Sequence, residues 1–136
     1  MRNCFAISLF SAWVGVTGSV AFAADRPAPA YFLDVVMASS TAQQLALACP
    51  SISVDVIVVA KASGEVMTQL ETDGFDTTTD SLGMTDTSDA FAARQDAFLA
   101  RHDLQDGATA DVVCAAARAE MAQGTLIGSY LMEAPE

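Results

Sequence analysis

The chain has 136 residues, 17 of them acidic and six basic, with a formal charge of −11 at pH 7. That is the length of one domain with a modest core. The acidity argues against nucleic-acid binding, which needs basic surface to neutralise phosphates, and against docking on anionic lipid.

Residues 1–23 read as a secretory signal peptide. Arg2 supplies the positive start, Cys4 to Val16 is an apolar run, and Ala21-Phe22-Ala23 is a small-x-small cleavage site ahead of Ala24-Asp25-Arg26-Pro27. The run is shorter than the ~20 residues a spanning helix needs, and Ser11, Gly15, Thr17, Gly18 and Ser19 interrupt it. No cysteine lies at the cleavage site to take a lipid anchor. Cleavage after Ala23 removes Arg2 and Cys4 and leaves 113 residues, with five basic side chains against 17 acidic ones, a formal charge of −12. The expected product is periplasmic or secreted, away from the membrane, with Cys49 and Cys114 in an oxidising compartment.

Residues 24–30 are expected to be a linker, because Pro27 and Pro29 forbid a helix there. Residues 31–136 are expected to form a single helical domain. The first helix runs from Tyr31 to Ala48, with Phe32, Val35, Val36, Ala42, Leu45, Ala46 and Cys49 at three- and four-residue spacing. Pro50 ends it, and Ser51 suits the cap of the next.

From Ile52 to Val59 two signals conflict. The β-branched run favours a strand by propensity. The spacing of Ile52, Val56, Val59, Val66 and Leu70 places them on one helical face. Because the helical stripe continues to Leu70, the spacing predicts a helix from Ile52 to Glu71, stopped by Asp73-Gly74.

The polar stretch 74–89 reads as a capped helical turn from Asp76 to Leu82 and then a loop. Asp86 to Ser88 cap a helix that runs to about Arg101 and carries Phe91, Phe98 and Leu99. Asp106-Gly107 marks a turn. Thr109 caps a last long helix with Val113, Cys114, Ala117 and Met121 on one side. Gly124 and Gly128 are possible interruptions, but Leu126, Ile127, Tyr130 and Leu131 keep helical spacing. The fold expected is all-α, a small bundle of four to five helices, with one disulfide joining the first and last helices.

The candidate disulfide is Cys49–Cys114. Redox catalysis favours C-x-x-C spacing, and zinc needs more ligands than two cysteines and His102, the sole histidine, readily provide. His102 reads as a helix-end residue near the C-terminal dipole. Asp73, Asp76, Asp80, Asp86 and Asp89 lack the EF-hand calcium pattern and read as helix and turn caps. Met67, Met84, Met121 and Met132 are scattered and read as core filling rather than copper ligands. Gly124-x-x-x-Gly128 suggests close helix packing. Gly-x-Ser-x-Gly, Ser-x-x-Lys and P-loop motifs are absent, so no catalytic residue, metal or cofactor is expected, and the protein is not expected to be an enzyme.

Three stretches carry a resemblance: Cys49-Pro50-Ser51-Ile52-Ser53, then Gly74-Phe75, then the helix from Cys114 to Met121 leading into Gly124-Thr125-Leu126-Ile127-Gly128-Ser129-Tyr130-Leu131. In order and spacing the chain resembles a family of small exported alphaproteobacterial proteins of unknown function. The resemblance implies a helical fold in which the CPSI segment opens the second helix, and a shared cysteine pair. It implies no activity, cofactor or partner. The β-branched run Val54–Val59 and the low count of basic residues depart from the family pattern. The function expected is a non-enzymatic binding or interaction module for an unknown protein or small molecule. The alternative is a stress-protective chaperone like the small acid-activated periplasmic ones, which are also helical with a single disulfide.

Overall fold

The computed structural model describes residues 25–135, and the expected signal peptide, residues 1–23, lies outside them. Helix α1 spans Ala30–Ala48 and starts where the prolines stop: Pro29 is its N-cap, and its carbonyl accepts from the amides of Phe32 and Leu33. Pro50 follows its C-cap, Cys49. This helix is the spine of the domain, and every other element described below except the C-terminal strand, Leu131–Glu133, packs substantially against it. It buries Leu33, Ala38, Thr41, Ala42 and Leu45. The small Ala38 and Ala42, facing Ala117 in the same core cluster, let the helical backbones approach closely.

The expectation of a helix from Ile52 is corrected. Ile52–Val54 is a short strand, β1, and helix α2 spans Val56–Thr72. β1 pairs antiparallel with β2, Leu131–Glu133, in the register Ile52 to Glu133, Ser53 to Met132 and Val54 to Leu131. The ladder continues outward through Asp55 N–H to the Tyr130 carbonyl and Ala134 N–H to the Ser51 carbonyl, both 2.9 Å. Local β-propensity wins here because the far end of the chain supplies a pairing strand. The true helix start is Asp55, not Ser51: its carboxylate accepts from the amides of Ile57 and Val58, both at 3.1 Å. The apolar stripe shifts accordingly. It runs through Val59, Ala62, Val66 and Leu70, while Val56 is 70% and Ile57 78% exposed.

Between Asp73 and Ser88 the chain makes turns rather than the expected helical turn. Leu82 and Gly83 both have positive φ (54° and 64°), which reverses the chain and cannot continue a right-handed helix. Asp76 still caps: its carboxylate accepts from the Thr78 hydroxyl and amide, which holds its pKa down. Asp86 does the same with Ser88. The segment expected as a linker runs extended across this region. Arg26 N–H donates to the Gly83 carbonyl at 3.0 Å, the Arg26 carbonyl accepts from Thr85, and its guanidinium lies 3.8 Å over the Phe75 ring.

Helix α3 spans Ser88–Arg101, and α4 spans Ala110–Gln123 beyond the turn at Asp106-Gly107. The expected last long helix is broken. Gly124 ends α4 in the left-handed region (φ 61°), Thr125 caps the single turn α5, Leu126–Ser129, and Leu131 enters β2. Gly128 is the residue that permits the close return: a Cβ there would land on the Glu120 backbone carbonyl. The described residues form five helices and one small two-stranded sheet, with the core between α1, α3, α4 and α5. No helix among the described residues is long and apolar enough to cross a membrane.

Candidate functional site

Cys49 and Cys114 form the expected disulfide, with Cα atoms 5.2 Å apart. It ties the C-cap of α1 to the second turn of α4, the helix that begins the C-terminal part of the bundle. Both cysteines are buried in the main core cluster. Cross-links of this kind belong to oxidising compartments. Beside it, the Arg118 guanidinium donates to the Ser51 hydroxyl at 2.9 Å and fastens the turn after Pro50 to α4.

The polar centre of the molecule lies elsewhere, around Glu120. Ala116, Ala117 and Glu120 lie on the buried face of α4, so its carboxylate enters the core and is fully buried. Burial alone costs an ionised carboxylate several kcal/mol unless donors replace its water. Here they do. Oε1 accepts from Arg101 Nη2 at 2.8 Å and lies 2.5 Å from His102 Nε2, and Oε2 accepts from the Thr125 hydroxyl.

Each donor is placed by a local feature. Arg101 ends α3 and His102 is its C-cap, so both leave the helix toward α4. Phe98, buried one turn earlier, backs them: its ring centroid is 4.9 Å from the His102 ring, and the Arg101 guanidinium lies 5.7 Å from the Phe98 centroid. Thr125 is fixed as the N-cap of α5, where its hydroxyl also accepts from the Gly128 amide at 3.0 Å.

Desolvation pushes the Glu120 pKa up, but the hydrogen bonds from Thr125, His102 and Arg101, together with the Arg101 charge, outweigh it and hold the carboxyl below its ordinary 4.5. Glu120 is therefore ionised at neutral pH. An ionised carboxylate only accepts, so His102 donates through Nε2–H.

A cavity of about 280 Å³ opens over this network. Arg94 and Arg101, from α3, line it together with Asp34 and Glu120, and Met37, Leu126 and Ile127 add apolar lining. Arg94 Nε is paired to Asp34 Oδ1 at 2.9 Å across α1 and α3, and its Nη1 donates to the Ala90 carbonyl at 3.2 Å. The cavity thus offers oriented charge and apolar surface. No group of three or more metal-ligating side chains occurs among the described residues.

His102 stands at a helix end, as its position in the sequence suggested, yet its partner is a carboxylate 18 residues away. That partner, Glu120, was not singled out in the sequence. The signal was present: Glu120 lies three residues after Ala117 and six after Cys114, in the middle of an apolar stripe. The acidic residues of 73–89 do not gather into one site. Asp73 accepts from the Tyr31 hydroxyl at 2.7 Å and from Gln69, while Asp76 and Asp86 cap turns. Burial and the Asp73 carboxylate together raise the Tyr31 phenol to about 12. Among the scattered methionines, Met84 is buried and Met121 packs on the core, whereas Met67 and Met132 are exposed.

A family model described as a family of unknown function (DUF5333) matches residues 27–132. No curated protein and no solved structure matches the chain.

Proposed function

The chain belongs to this family of unknown function, DUF5333, and we propose that it is an exported, non-enzymatic binding module that holds a small molecule in the cavity over Glu120. The observation that carries this reading is the fully buried Glu120 carboxylate beneath an open cavity, with Arg101, His102 and Thr125 all directed at it. Such a network holds Arg101 in one orientation before any ligand arrives, which lowers the ordering cost of binding. A carboxylate held below its ordinary pKa is poorly matched to proton transfer near neutrality, which speaks for binding rather than acid–base catalysis. Export is supported by the signal-like residues 1–23 and by the disulfide. It agrees with the resemblance to small exported alphaproteobacterial proteins.

Native mass spectrometry of protein isolated from the periplasm without denaturation tests this reading. Wild type is expected to carry a small-molecule adduct. Leu126→Trp, which fills the cavity mouth from a half-exposed position, is expected to lose it. A bare chain in every wild-type preparation, or equal adducts in both proteins, rules the reading out.

A second reading, an acid-activated chaperone, is favoured by one observation. Residues 35–60 contain a single charged side chain, Asp55, and within them Leu47 is 88% exposed alongside the exposed Val56 and Ile57. In acid the carboxylates protonate while five basic residues keep their charge, and the loosened chain would expose more of this apolar surface. Under this reading the protein is expected to bind a hydrophobic dye and suppress aggregation of acid-denatured clients at pH 2–3. Unchanged dye binding and unprotected clients at that pH rule it out.

A further inference from the structure

We infer that the ligand of this cavity is a small monocarboxylate with a short apolar tail, gripped by Arg94 and Arg101. This inference rests on the binding reading above and names the ligand class for the same site.

Arg94 and Arg101 are two of only five basic residues between 24 and 136. They are seven residues apart on α3, two helical turns, so they point the same way about 10 Å apart along the axis. Both line the one cavity. Each guanidinium is anchored through other nitrogens and leaves one terminal nitrogen uncommitted. Arg94 spends Nε on Asp34 and Nη1 on the Ala90 carbonyl, and its Nη2 has no partner among the described residues. Arg101 spends Nη2 on Glu120, its Nε faces His102 Nε2 at 3.4 Å, and its Nη1 has no partner among them. Anchored guanidiniums with unspent donors suit a carboxylate, because hydrogen bonds between two charged groups are the strong ones.

The charge of the site limits the ligand further. Asp34 and Glu120 already neutralise the two arginines, and the chain as a whole is strongly acidic. A dianion such as phosphate meets two fixed carboxylates and gains little, whereas a monoanion accepts the two unspent donors with less repulsion. Met37, Leu126 and Ile127 in the same lining are suited to an alkyl or aryl tail rather than a sugar or a nucleotide. The volume of about 280 Å³ falls just below the usual range for ligand pockets and admits about nine water-sized groups. A six-carbon acid fits that limit.

The experiment is a titration of oxidised mature protein at pH 7, followed by NMR and calorimetry, with hexanoate, hexanamide, leucine and inorganic phosphate in separate arms. Hexanoate is expected to move the Arg94 and Arg101 Nε–H resonances and the Leu126 and Ile127 amides. Hexanamide, equal in shape but uncharged, is expected to bind at least tenfold more weakly. Leucine binding as well as hexanoate supports the proposal and identifies the carboxylate source as an amino acid. Arg94 lies outside the Glu120 network, so Arg94→Gln is expected to keep the fold and lose at least tenfold in hexanoate affinity, while Arg94→Lys, which keeps charge but not the fork, falls between. Hexanamide equal to hexanoate overturns the proposal, as does phosphate binding at the same resonances. If hexanoate fails to bind while native mass spectrometry shows a neutral adduct that Leu126→Trp removes, the ligand class is wrong and the binding reading stands. If no arm binds and no adduct is found, both fall.

Discussion

Mature protein carrying Cys49→Ala and Cys114→Ala is expected to be about 2–4 kcal/mol less stable than the oxidised wild type. The bridge closes 65 residues of sequence, for which the chain-entropy account gives ~4 kcal/mol, and measured losses usually fall below that figure. Alanine is the cleaner replacement, because both positions are buried and serine would add a hydroxyl with no assured partner. The loss matters against a total of about 5–15 kcal/mol for a domain. The bridge also locks the end of α1, and through the Ser51 turn the start of β1, onto α4. Urea unfolding should show a lower midpoint and a steeper slope in the variant, since its unfolded chain expands further. Wild type in reductant should match the variant, and the variant should ignore reductant. Equal midpoints for oxidised wild type and variant would disprove a stabilising role. Free thiols at Cys49 and Cys114 in denatured protein prepared without reductant, or a bridge between two chains on a non-reducing gel, would disprove the pairing itself.

What could be read from the sequence follows from how local each determinant is. Helix α1 was legible because prolines bracket it at 29 and 50, and α3 because Asp86 and Ser88 mark its start and the Phe91–Phe98 stripe lies within it. The cysteine pair was legible by counting, once the first 23 residues are set aside as a leader. The β1–β2 ladder was not, because Ile52 pairs with a residue 81 positions away and neither strand exceeds three residues. Its consequence, the shift of the α2 stripe that leaves Val56 and Ile57 in solvent, was hidden with it. The break at Gly124 was visible as a glycine but not decisive, since Leu126, Ile127 and Tyr130 hold helical spacing through a turn of real helix and then stop. The site was the least legible part. Arg94 and Arg101 share an i,i+7 spacing, but their carboxylate partners come from α1 and α4, and no spacing rule links 34, 94, 101 and 120.

Glu120→Gln is expected to cost about 1–2 kcal/mol at pH 7, and Glu120→Ala about 3 kcal/mol, because hydrogen bonds to a charged group contribute more than neutral ones and removing one buried partner strands the rest. The amide keeps the shape. Its oxygen can accept from Arg101 and His102 and its nitrogen can donate to the Thr125 hydroxyl, so what it loses is the charge. Alanine also opens a void beneath the cavity and leaves His102 and Thr125 without their acceptor; Arg101, half exposed, can turn to water, which keeps the cost from rising further.

The pH dependence separates this charge effect from packing. The Glu120 carboxyl is held below its ordinary 4.5 in the folded protein, so its contribution is complete above that value and disappears as pH falls through the lower folded value. Asp76 and Asp86, also depressed by their Thr78 and Ser88 caps, add to the acid lability of wild type and of the Gln variant alike. The difference between wild type and Glu120→Gln therefore isolates Glu120. It should be constant from pH 7 down to about 5.5, shrink below 4.5 and approach zero where the carboxyl is protonated. Urea midpoints measured on both proteins across pH 3–7 provide the comparison. A stability difference that does not change with pH would mean that Arg101 and His102 are not held by the charge of Glu120.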